Sequence, residues 1–295
     1  MAEFGVDQAA GLRRLFGGSA LRVIAFASGS AGVGKTSIVA NVAVALARQG
    51  KEVLVVDENQ GSRGMGGFFG LHPQADLQQV LKRQRRLEHV LFSPLPGVSI
   101  LPAGRAACQL GELGPAERQA LLEAVAALER PVDVILVDTS HEHEYGISPW
   151  GLAAGETVIV VSGSGTSIME SYALIKKVSQ SLARRHFRIL VNRVKSGEDG
   201  RIIHGNLHKV AAQRGLARLD FGGAIPQDDA LSRSARLGQA VVGAVPEAPA
   251  ALALREFAAN LLTWPSAEYE QGGVEQFIRQ LLHLSHRLTP SVLHA

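Results

Sequence analysis

Residues 28–37 read SGSAGVGKTS, and they join an apolar stretch, RVIAFAS (22–28), to a second one, TSIVANVAVALARQG (36–50). The first stretch is short and continuously apolar, which is typical of a buried strand. The second has helical spacing and ends on a glycine, a common stop signal of a helix. The quoted residues are therefore predicted to form the loop of a strand, loop and helix unit.

The loop carries a phosphate-binding motif. Gly29, Gly34, Lys35 and Thr36 fit the pattern G-x-x-x-x-G-K-[ST], in the strand-to-helix setting that the motif requires. Glycines allow backbone N–H groups to curl around phosphate oxygens, and the positive end of the following helix faces the same anion. Lys35 supplies a positive charge, and the Thr36 hydroxyl supplies a ligand for Mg²⁺. The motif predicts a nucleotide site, because a plain glycine-rich turn would not require the Lys-Thr pair.

The rest of the chain continues the alternation of strands and helices. Near-continuous apolar strands with helices between them predict an α/β fold, a mostly parallel β-sheet flanked by helices. A P-loop enzyme needs a carboxylate at the end of a neighbouring strand to hold the Mg²⁺ shell, and Asp138 is predicted to fill that role. Asp57 either supplies a second acidic group beside the phosphates or caps a turn. The further predicted strands are 52–59, 132–140, 156–163 and 188–194, and the further predicted helices include 114–128 and 167–185.

Composition excludes several classes of protein. The chain has 295 residues, of which 46% are hydrophobic and 19% charged, so it can bury a large core. Its one cysteine, Cys108, excludes an internal disulfide framework and suits a reducing cytoplasm. No stretch reaches the roughly 18 to 20 apolar residues of a spanning helix, and no secretory signal is expected at the N-terminus. A net charge of +3 permits an anionic partner without requiring one.

Longer stretches resemble a known family. SGSAGVGKTSIVANVAVALARQGKEVLVVDENQG (28–61) is similar to the start of a MinD/ParA-type ATPase. Four others resemble the FlhG/FleN branch of that family, which limits flagellar number and placement in bacteria. These are the N-terminal DQAAGLRRL (7–15), the stretch TSIMESYALIKKV (166–178), the stretch GAIPQDDALSRSARLGQAVVGAVPEAPAALALREFAANLL (223–262), and the ending WPSAEYEQGGVEQFIRQLL (264–282).

The resemblance implies an ATP-driven switch. In the family, ATP closes a dimer, the dimer exposes an amphipathic C-terminal helix to the membrane, and hydrolysis releases it. The resemblance implies ATP and Mg²⁺ as cofactors, a homodimer, a cytoplasmic location with peripheral attachment to the inner face of the membrane, and the partner FlhF, a signal-recognition-type GTPase. Flagellar transcriptional regulators or switch-complex proteins are further implied partners, and nucleic acid is not expected.

The same resemblance assigns roles to individual residues. It implies metal binding by Thr36 and Asp138, and contacts with FlhF by Asp7, Gln8, Leu12 and Arg13. It implies a catalytic set of Lys35, Asp57, Asn59 and Asp138. It implies nucleotide binding by Gly29, Ser30, Ala31, Gly32, Val33, Gly34, Lys35, Thr36, Ser37, Asn192 and Pro226, of which the last two would meet the adenine.

The chain departs from the family pattern at the site itself. Where the family has a lysine that reaches across the dimer to the partner's nucleotide, this chain has Ser30, followed by Ala31. Where the family has a second aspartate that orients the attacking water, this chain has Asn59, whose amide cannot accept a proton. The loop after Asp138, SHEHEYG (140–146), is bulkier than the usual small loop. These changes predict that ATP is bound but hydrolysed slowly.

Both ends of the chain carry amphipathic segments. The expected organisation is an N-terminal partner-binding segment (1–20), a MinD-like P-loop ATPase domain (21–263), a linker (264–273), and an amphipathic helix and tail (274–295). The N-terminal segment fits either a partner-binding helix or a disordered terminus. The C-terminal spacing fits either an interfacial membrane helix, which the resemblance favours, or a helix docked on its own domain. The apolar residues of its proposed membrane-binding face are Val274, Phe277, Ile278, Leu281 and Leu282.

Rival functions belong to other classes. The chain could be a nucleotide-binding adaptor without significant hydrolysis, or a ParA-like DNA-associated ATPase, which its basic balance allows. The basic run LKRQRRLEH (81–89) fits either a solvated helix face or a patch for an anionic partner. An amide synthase of the cobyrinic acid type would require a glutaminase half with a nucleophilic cysteine, and Cys108 has no such setting. His141 and His143 lack the spacing of a zinc motif and are expected in a solvated loop.

Overall fold

The computed structural model describes residues 21–128, 130–141, 143, 146–265 and 273–288. The predicted FlhF-binding residues Asp7, Gln8, Leu12 and Arg13 lie outside the described residues. So do most of the predicted linker, the C-terminal tail, and Glu142 and Glu144 of the loop that follows Asp138.

One sheet organises the described part of the chain. Its eight strands follow the spatial order β3-β4-β2-β5-β1-β6-β7-β8, and all neighbours run parallel except β3 and β4. The strands are β1 (Arg22–Ala27), β2 (Val53–Asp57), β3 (Phe92–Leu95), β4 (Val98–Pro102), β5 (Val134–Asp138), β6 (Glu156–Ser162), β7 (His186–Val194) and β8 (Arg218–Pro226).

Helices cover both faces of this sheet. The longer ones are α1 (Lys35–Ala47), α5 (Pro115–Ala126), α7 (Gly165–Leu182), α8 (Gly197–Gln213), α11 (Pro249–Leu261) and α12 (Gly273–Leu288). The shorter ones are α2 (Met65–Phe68), α3 (Leu77–Leu81), α4 (Gly104–Gln109), α6 (Pro149–Ala153), α9 (Asp229–Arg236) and α10 (Val241–Ala244). Three 3₁₀ turns lie at Gly61–Arg63, Leu87–His89 and Leu110–Glu112.

The strands divide their side chains between two faces. In β2, Val53 and Val55 pack in the core that contains α1 and α11, whereas Leu54 and Val56 pack in a second core with α5, α6 and α12. This alternation follows from the two-residue period of a strand, and it requires apolar residues on both sides of the central strands. A third core, under α7 and α8, contains residues of β6, β7 and β8. The mostly parallel α/β architecture predicted from the sequence is confirmed.

The predicted strands are present, and others were missed. The structure has strands at 22–27, 53–57, 134–138, 156–162 and 186–194, close to the predicted bounds. β3, β4 and β8 were not predicted from the sequence. β8 reads RLDFGGAIP, and its two adjacent glycines interrupt the apolar pattern that marks the other strands.

The C-terminal helix α12 packs on the domain. Phe277, Ile278, Leu281 and Leu282 are buried in the core that also contains α5 and α6, and Val274 packs against its edge. Ser285 of the same helix donates to Leu110 O at 3.2 Å. Of the two arrangements that the sequence allowed, the structure therefore shows the docked one. No helix among the described residues has the length and apolarity needed to cross a bilayer.

Candidate functional site

The P-loop lies between β1 and α1, at the carboxyl edge of the sheet, and two of its glycines are required by close packing. A Cβ on Gly29 would lie 2.3 Å from the backbone carbon of Glu170 in α7. Gly34 has a φ of +91°, and a Cβ there would lie 2.6 Å from the side-chain nitrogen of Asn192. Larger residues at these two positions would displace the P-loop from the start of α1. That position is where the N–H groups of the loop can face an anion.

Lys35 and Thr36 both contact the carboxylate of Asp138. The buried Lys35 ammonium forms an ion pair with Asp138 Oδ1. Thr36 Oγ1 donates to Asp138 Oδ2 at 2.7 Å. Asp138 ends β5, next to β1, and is fully buried. The predicted metal-binding pair, Thr36 and Asp138, is thus brought together by the neighbouring ends of two strands.

Asn59 joins the two aspartates. Its side-chain nitrogen donates to Asp138 Oδ2 at 2.9 Å and lies 3.2 Å from Asp57 Oδ1. Asp57 also accepts from its neighbours, since Met65 N donates to Oδ2 at 2.6 Å and Asn59 N donates to Oδ1 at 3.0 Å. An aspartate at position 59 would place a third carboxylate here, whereas the amide donates to both existing ones.

The electrostatics of Asp57 follow from this crowding. Burial raises the pKa of Asp57 to about 7, and the nearby negative charge of Asp138 adds to the rise. Hydrogen bonds from Met65 N and from Asn59 lower this pKa and so oppose part of the shift. A cation bound between Asp57 and Asp138 would reverse the effect, because it favours the ionised carboxylates.

Glu58, which sequence reasoning did not single out, points to the opposite face of β2. Its Oε1 accepts from the Ser148 hydroxyl, and its Oε2 accepts from Ser140 N at 2.9 Å. Burial raises the pKa of Glu58 to about 7, and the bonds from Ser148 and Ser140 with the charge of Lys35 oppose part of that rise. Only strand alternation could have suggested that Asp57 and Asn59 face one way and Glu58 the other.

A cavity of about 660 Å³ opens over the P-loop. Its size and its glycine-rich floor suit a nucleotide. Ser30 Oγ lies buried beside it without a hydrogen-bond partner among the described residues, as expected of a group that awaits a ligand oxygen. The nearby Thr36 hydroxyl and Asp138 carboxylate are the hard oxygen donors that Mg²⁺ prefers. The lining residues include Ser30, Ala31, Gly32, Val33, Gly34, Lys35, Thr36, Ser37, Glu58, Asn59, Arg63, His141, His143 and Arg193.

Comparison with known proteins identifies the family. Residues 24–241 match the CobQ/CobB/MinD/ParA nucleotide binding domain. The antiactivator FleN of Pseudomonas aeruginosa is 31% identical over 262 residues, which are 89% of this chain and 94% of that protein. The chain belongs to the FlhG/FleN branch of the MinD/ParA-type P-loop ATPases.

Two further proteins are similar to this chain. The flagellum site-determining protein YlxH of Helicobacter pylori is 26% identical, over 88% of this chain and 90% of that protein. The septum site-determining protein MinD of Pyrococcus horikoshii, solved in complex with Mg-ADP, has a TM-score of 0.60 at 22% identity, over 82% of this chain and 96% of that one. The solved structure supports the MinD-like fold of this FlhG/FleN-branch chain.

The adenine contacts implied by the FlhG/FleN resemblance fall at the rim of the site. Asn192 is buried, and its side-chain nitrogen donates to Val33 O at 2.8 Å, so that it braces the P-loop from β7. Pro226 ends the adjacent strand, β8, where it pairs with Val194. Neither side chain lines the 660 Å³ cavity. Their contact with adenine stays a prediction.

Arg193 is a cavity residue that sequence reasoning missed. It has a φ of 58°, which is uncommon for a residue with a side chain. Its guanidinium lies 3.9 Å from the position of a Cβ on Gly34, and the residue lines the cavity. Nothing in a short local pattern marks such a residue, because its place depends on how β7 ends beside the P-loop. Arg63, from the 3₁₀ turn after β2, lines the cavity as well.

A second, larger hollow of about 1140 Å³ lies between the end of α3 and α5. Arg83, Arg85 and Arg86 of the basic run line it, and Arg83 forms an exposed ion pair with Glu123 at 2.8 Å. It contains neither a glycine loop nor a buried cation, and fixed groups of that kind are what orient a phosphate. The P-loop cavity is therefore the candidate nucleotide site of this FlhG/FleN-branch chain.

Proposed function

We propose that this chain is an ATP- and Mg²⁺-binding switch that regulates flagellar number and placement. The observation that carries the proposal is the P-loop cavity, whose lining residues Lys35 and Thr36 both bond to the buried Asp138 at the carboxyl edge of the sheet. The flagellar role is suggested by the relative YlxH, which is named a flagellum site-determining protein. Bound Mg²⁺ would neutralise phosphate charge, and Thr36 with Asp138 would hold it.

The proposed switch acts in the cytoplasm, at the inner face of the cell membrane. ATP binding favours a homodimer and frees the apolar face of α12, which then enters the boundary of an anionic lipid surface. The N-terminal segment binds the GTPase FlhF. Transcriptional regulators or switch-complex proteins of the flagellum are the further partners. The docked, strongly amphipathic α12 supports this proposal, since one apolar face can serve both environments.

Hydrolysis is proposed to be slow. Ser30 is neutral and short, so it cannot deliver the cross-dimer charge that a lysine would bring to the phosphates. Asn59 cannot take a proton from water. The second candidate function, an adaptor that binds ATP without turnover, is favoured by one specific observation. Asn59 donates its side-chain amide to Asp57 and to Asp138, so this group is engaged by the neighbouring carboxylates and does not orient an attacking water.

The test is calorimetric binding of Mg-ATP and Mg-ADP, with ATP turnover measured on the same samples, with and without anionic vesicles and FlhF. Lys35→Ala should abolish binding, and Lys177→Ala, on the exposed side of α7, should not change it. Turnover stimulated by vesicles supports the switch, whereas binding without turnover supports the adaptor. Failure of the unaltered protein to bind ATP would contradict both.

A further inference from the structure

Consecutive side chains at the end of β2 connect the nucleotide cavity with α6. Asn59 lines the cavity and donates to Asp57 and Asp138. Glu58, between Asp57 and Asn59, also lines the cavity, and its carboxylate reaches Ser148 at the start of α6, on the side of the sheet where α12 packs. A strand places adjacent side chains on opposite faces, so a shift of this strand end moves both groups at once.

Glu58 is largely buried at the cavity wall and is fixed by two hydrogen bonds. It is 4% exposed, and Ser148, which donates to it, is 0% exposed. The second oxygen accepts from Ser140 N at 2.9 Å, in the loop that follows Asp138. Breaking either bond would leave a buried polar group unpaired, so displacement of Glu58 is opposed unless Ser148 and Ser140 follow it.

Ser148 is also the cap of α6. Its Oγ accepts from Gly151 N at 3.1 Å, and Pro149 occupies the first turn. The next residue of this short helix, Trp150, is 1% exposed, and its ring centroid lies 6.0 Å from that of Phe277 in α12. Phe277 is itself 0% exposed. α6 therefore forms part of the surface on which the apolar face of α12 packs.

The docked arrangement of α12 leaves one buried polar group of α6 without a hydrogen-bond partner. Trp150 Nε1 is buried beneath α12 and has no hydrogen-bond partner among the described residues. An indole N–H buried without a partner weakens the docked state relative to one in which water reaches it. The docked helix is therefore held by apolar packing against an opposing polar cost, which makes a small displacement of α6 effective.

We propose that Glu58 is a positioning residue that links the nucleotide cavity to the docked C-terminal helix through Ser148 and α6. Its bond to Ser148 keeps α6 under α12 in the nucleotide-free chain, and displacement of the end of β2 by a bound nucleotide withdraws that support. The nucleotide-driven part of this inference rests on the proposed function. The mechanical part, from Glu58 to Phe277, does not.

The experiment uses tryptophan fluorescence of the full chain. Trp264 packs on Phe257 in a different core, so Trp264→Phe leaves Trp150 as the only tryptophan and the reporter of docking. In this background we would compare Ser148→Ala with Ser196→Ala, which removes the equivalent cap from the distant α8. Glu58→Gln is the conservative variant, since its amide can still donate to Ser148 Oγ and accept from Ser140 N. Circular dichroism checks that each variant is folded.

Without nucleotide, Ser148→Ala should give a several-fold rise in acrylamide quenching of Trp150, with nucleotide-independent binding to phosphatidylglycerol vesicles. Ser196→Ala and Glu58→Gln should match the background protein. If Ser148→Ala fails to fold, Glu58→Ala replaces it with the same expected result. Unchanged quenching in the folded variant overturns the inference. If the background protein shows no response to Mg-ATP while Ser148→Ala exposes Trp150, the proposed switch fails and the mechanical link stands.

Discussion

Asn59 shows how one amide changes the chemistry of a carboxylate cluster. It donates to both Asp57 and Asp138, whose second oxygens are bonded by Met65 N and Lys35. In a metal-free site, an aspartate at this position would add repulsion between like charges. The residue that lowers the expected catalytic power therefore also stabilises the nucleotide-free form.

The double variant Ser30→Lys with Asn59→Asp is expected to raise ATP turnover by at least about tenfold, because a positioned acid–base group typically contributes roughly 10²–10⁴ in rate. Steady-state phosphate release measures this. Turnover that stays at the unaltered rate in the double variant would show that Ser30 and Asn59 do not limit hydrolysis.

The single variant Asn59→Asp should lower the unfolding free energy by about 1–3 kcal/mol without Mg²⁺, and Mg²⁺ should restore this stability.

Arg193→Ala is expected to weaken ATP binding by roughly tenfold or more, since a hydrogen bond to a charged group contributes about 1.5–3 kcal/mol. The reason is the position of its guanidinium beside Gly34, at the cavity wall. Isothermal titration with ATP measures the loss, and Lys195→Ala, exposed two residues further on, is the matched control. Equal affinities in the two variants would remove Arg193 from the site.

Glu58 makes the free energy of unfolding depend on pH. Burial raises its pKa from 4.5 to about 7, so the folded chain binds this proton more tightly than the unfolded chain. The resulting stability is fully present below the unfolded value and is lost as the pH rises through about 7. Glu58→Gln should therefore reduce the fall in unfolding free energy between about pH 5 and pH 8, by up to about 3 kcal/mol.

Urea unfolding at several pH values tests this expectation for Glu58. Asp57, whose pKa is raised as well, remains in the variant and keeps part of the slope. The exposed Glu88→Gln serves as the control. A pH slope that is the same in Glu58→Gln and in the unaltered chain would contradict the expectation.

Among the elements, α12 is the helix whose packing bears most directly on the proposed function. Its apolar residues complete the core beneath α5 and α6, while Glu275 and Arg279 form an exposed ion pair at 2.6 Å on the outer side. An exposed pair of this kind adds little stability, so docking depends on the buried face. In the docked arrangement, burial of the apolar face of α12 therefore contributes to the folding stability of the domain.

Phe277→Ala is expected to lower the unfolding free energy by about 3–5 kcal/mol, because it removes a fully buried aromatic ring and leaves a cavity. Leu252→Ala, at a position in α11 that is 47% exposed, should cost far less. Denaturant unfolding compares the two variants. Similar small losses would mean that α12 spends little time docked in solution.

The whole molecule places the P-loop helix α1 and the C-terminal helix α12 on opposite faces of one sheet, with the nucleotide cavity at its carboxyl edge. The P-loop helix α1 packs in one core and α12 in the other, and the central strands β1, β2 and β5 contribute to both. The carboxyl ends of these strands are the shortest route between the faces. A charge of only +3 over the whole chain does not create the strong positive field of a DNA-binding surface.

Binding to random-sequence duplex DNA is therefore expected to be no tighter than the roughly 10⁻⁴–10⁻⁶ M of ordinary non-specific association. Vesicles with anionic lipid should bind better in the presence of Mg-ATP, because α12 adds apolar contact. Sedimentation with each partner over a range of salt concentrations distinguishes them. An Arg85→Ala, Arg86→Ala variant reports on the basic run. Tight, steeply salt-dependent DNA binding would instead favour the ParA-like alternative.

The sequence by itself determined the features that neighbouring residues encode. The P-loop motif, the apolar strands and the acidic strand ends all lie within short windows, and the parallel sheet follows from their alternation with helices. It also identified Lys35, Thr36, Asp57, Asn59 and Asp138, which the structure brings together.

Only the tertiary structure decided the rest. Glu58 and Ser148 are 90 positions apart, so no local pattern predicts their bond, and the raised pKa of Glu58 exists only because distant elements bury it. β8 was missed because its glycines carry no apolar signal. The amphipathic spacing of α12 fits a membrane as well as a protein core, because both offer an apolar surface. The packing of Phe277 against Trp150 is what places this helix on its own domain here.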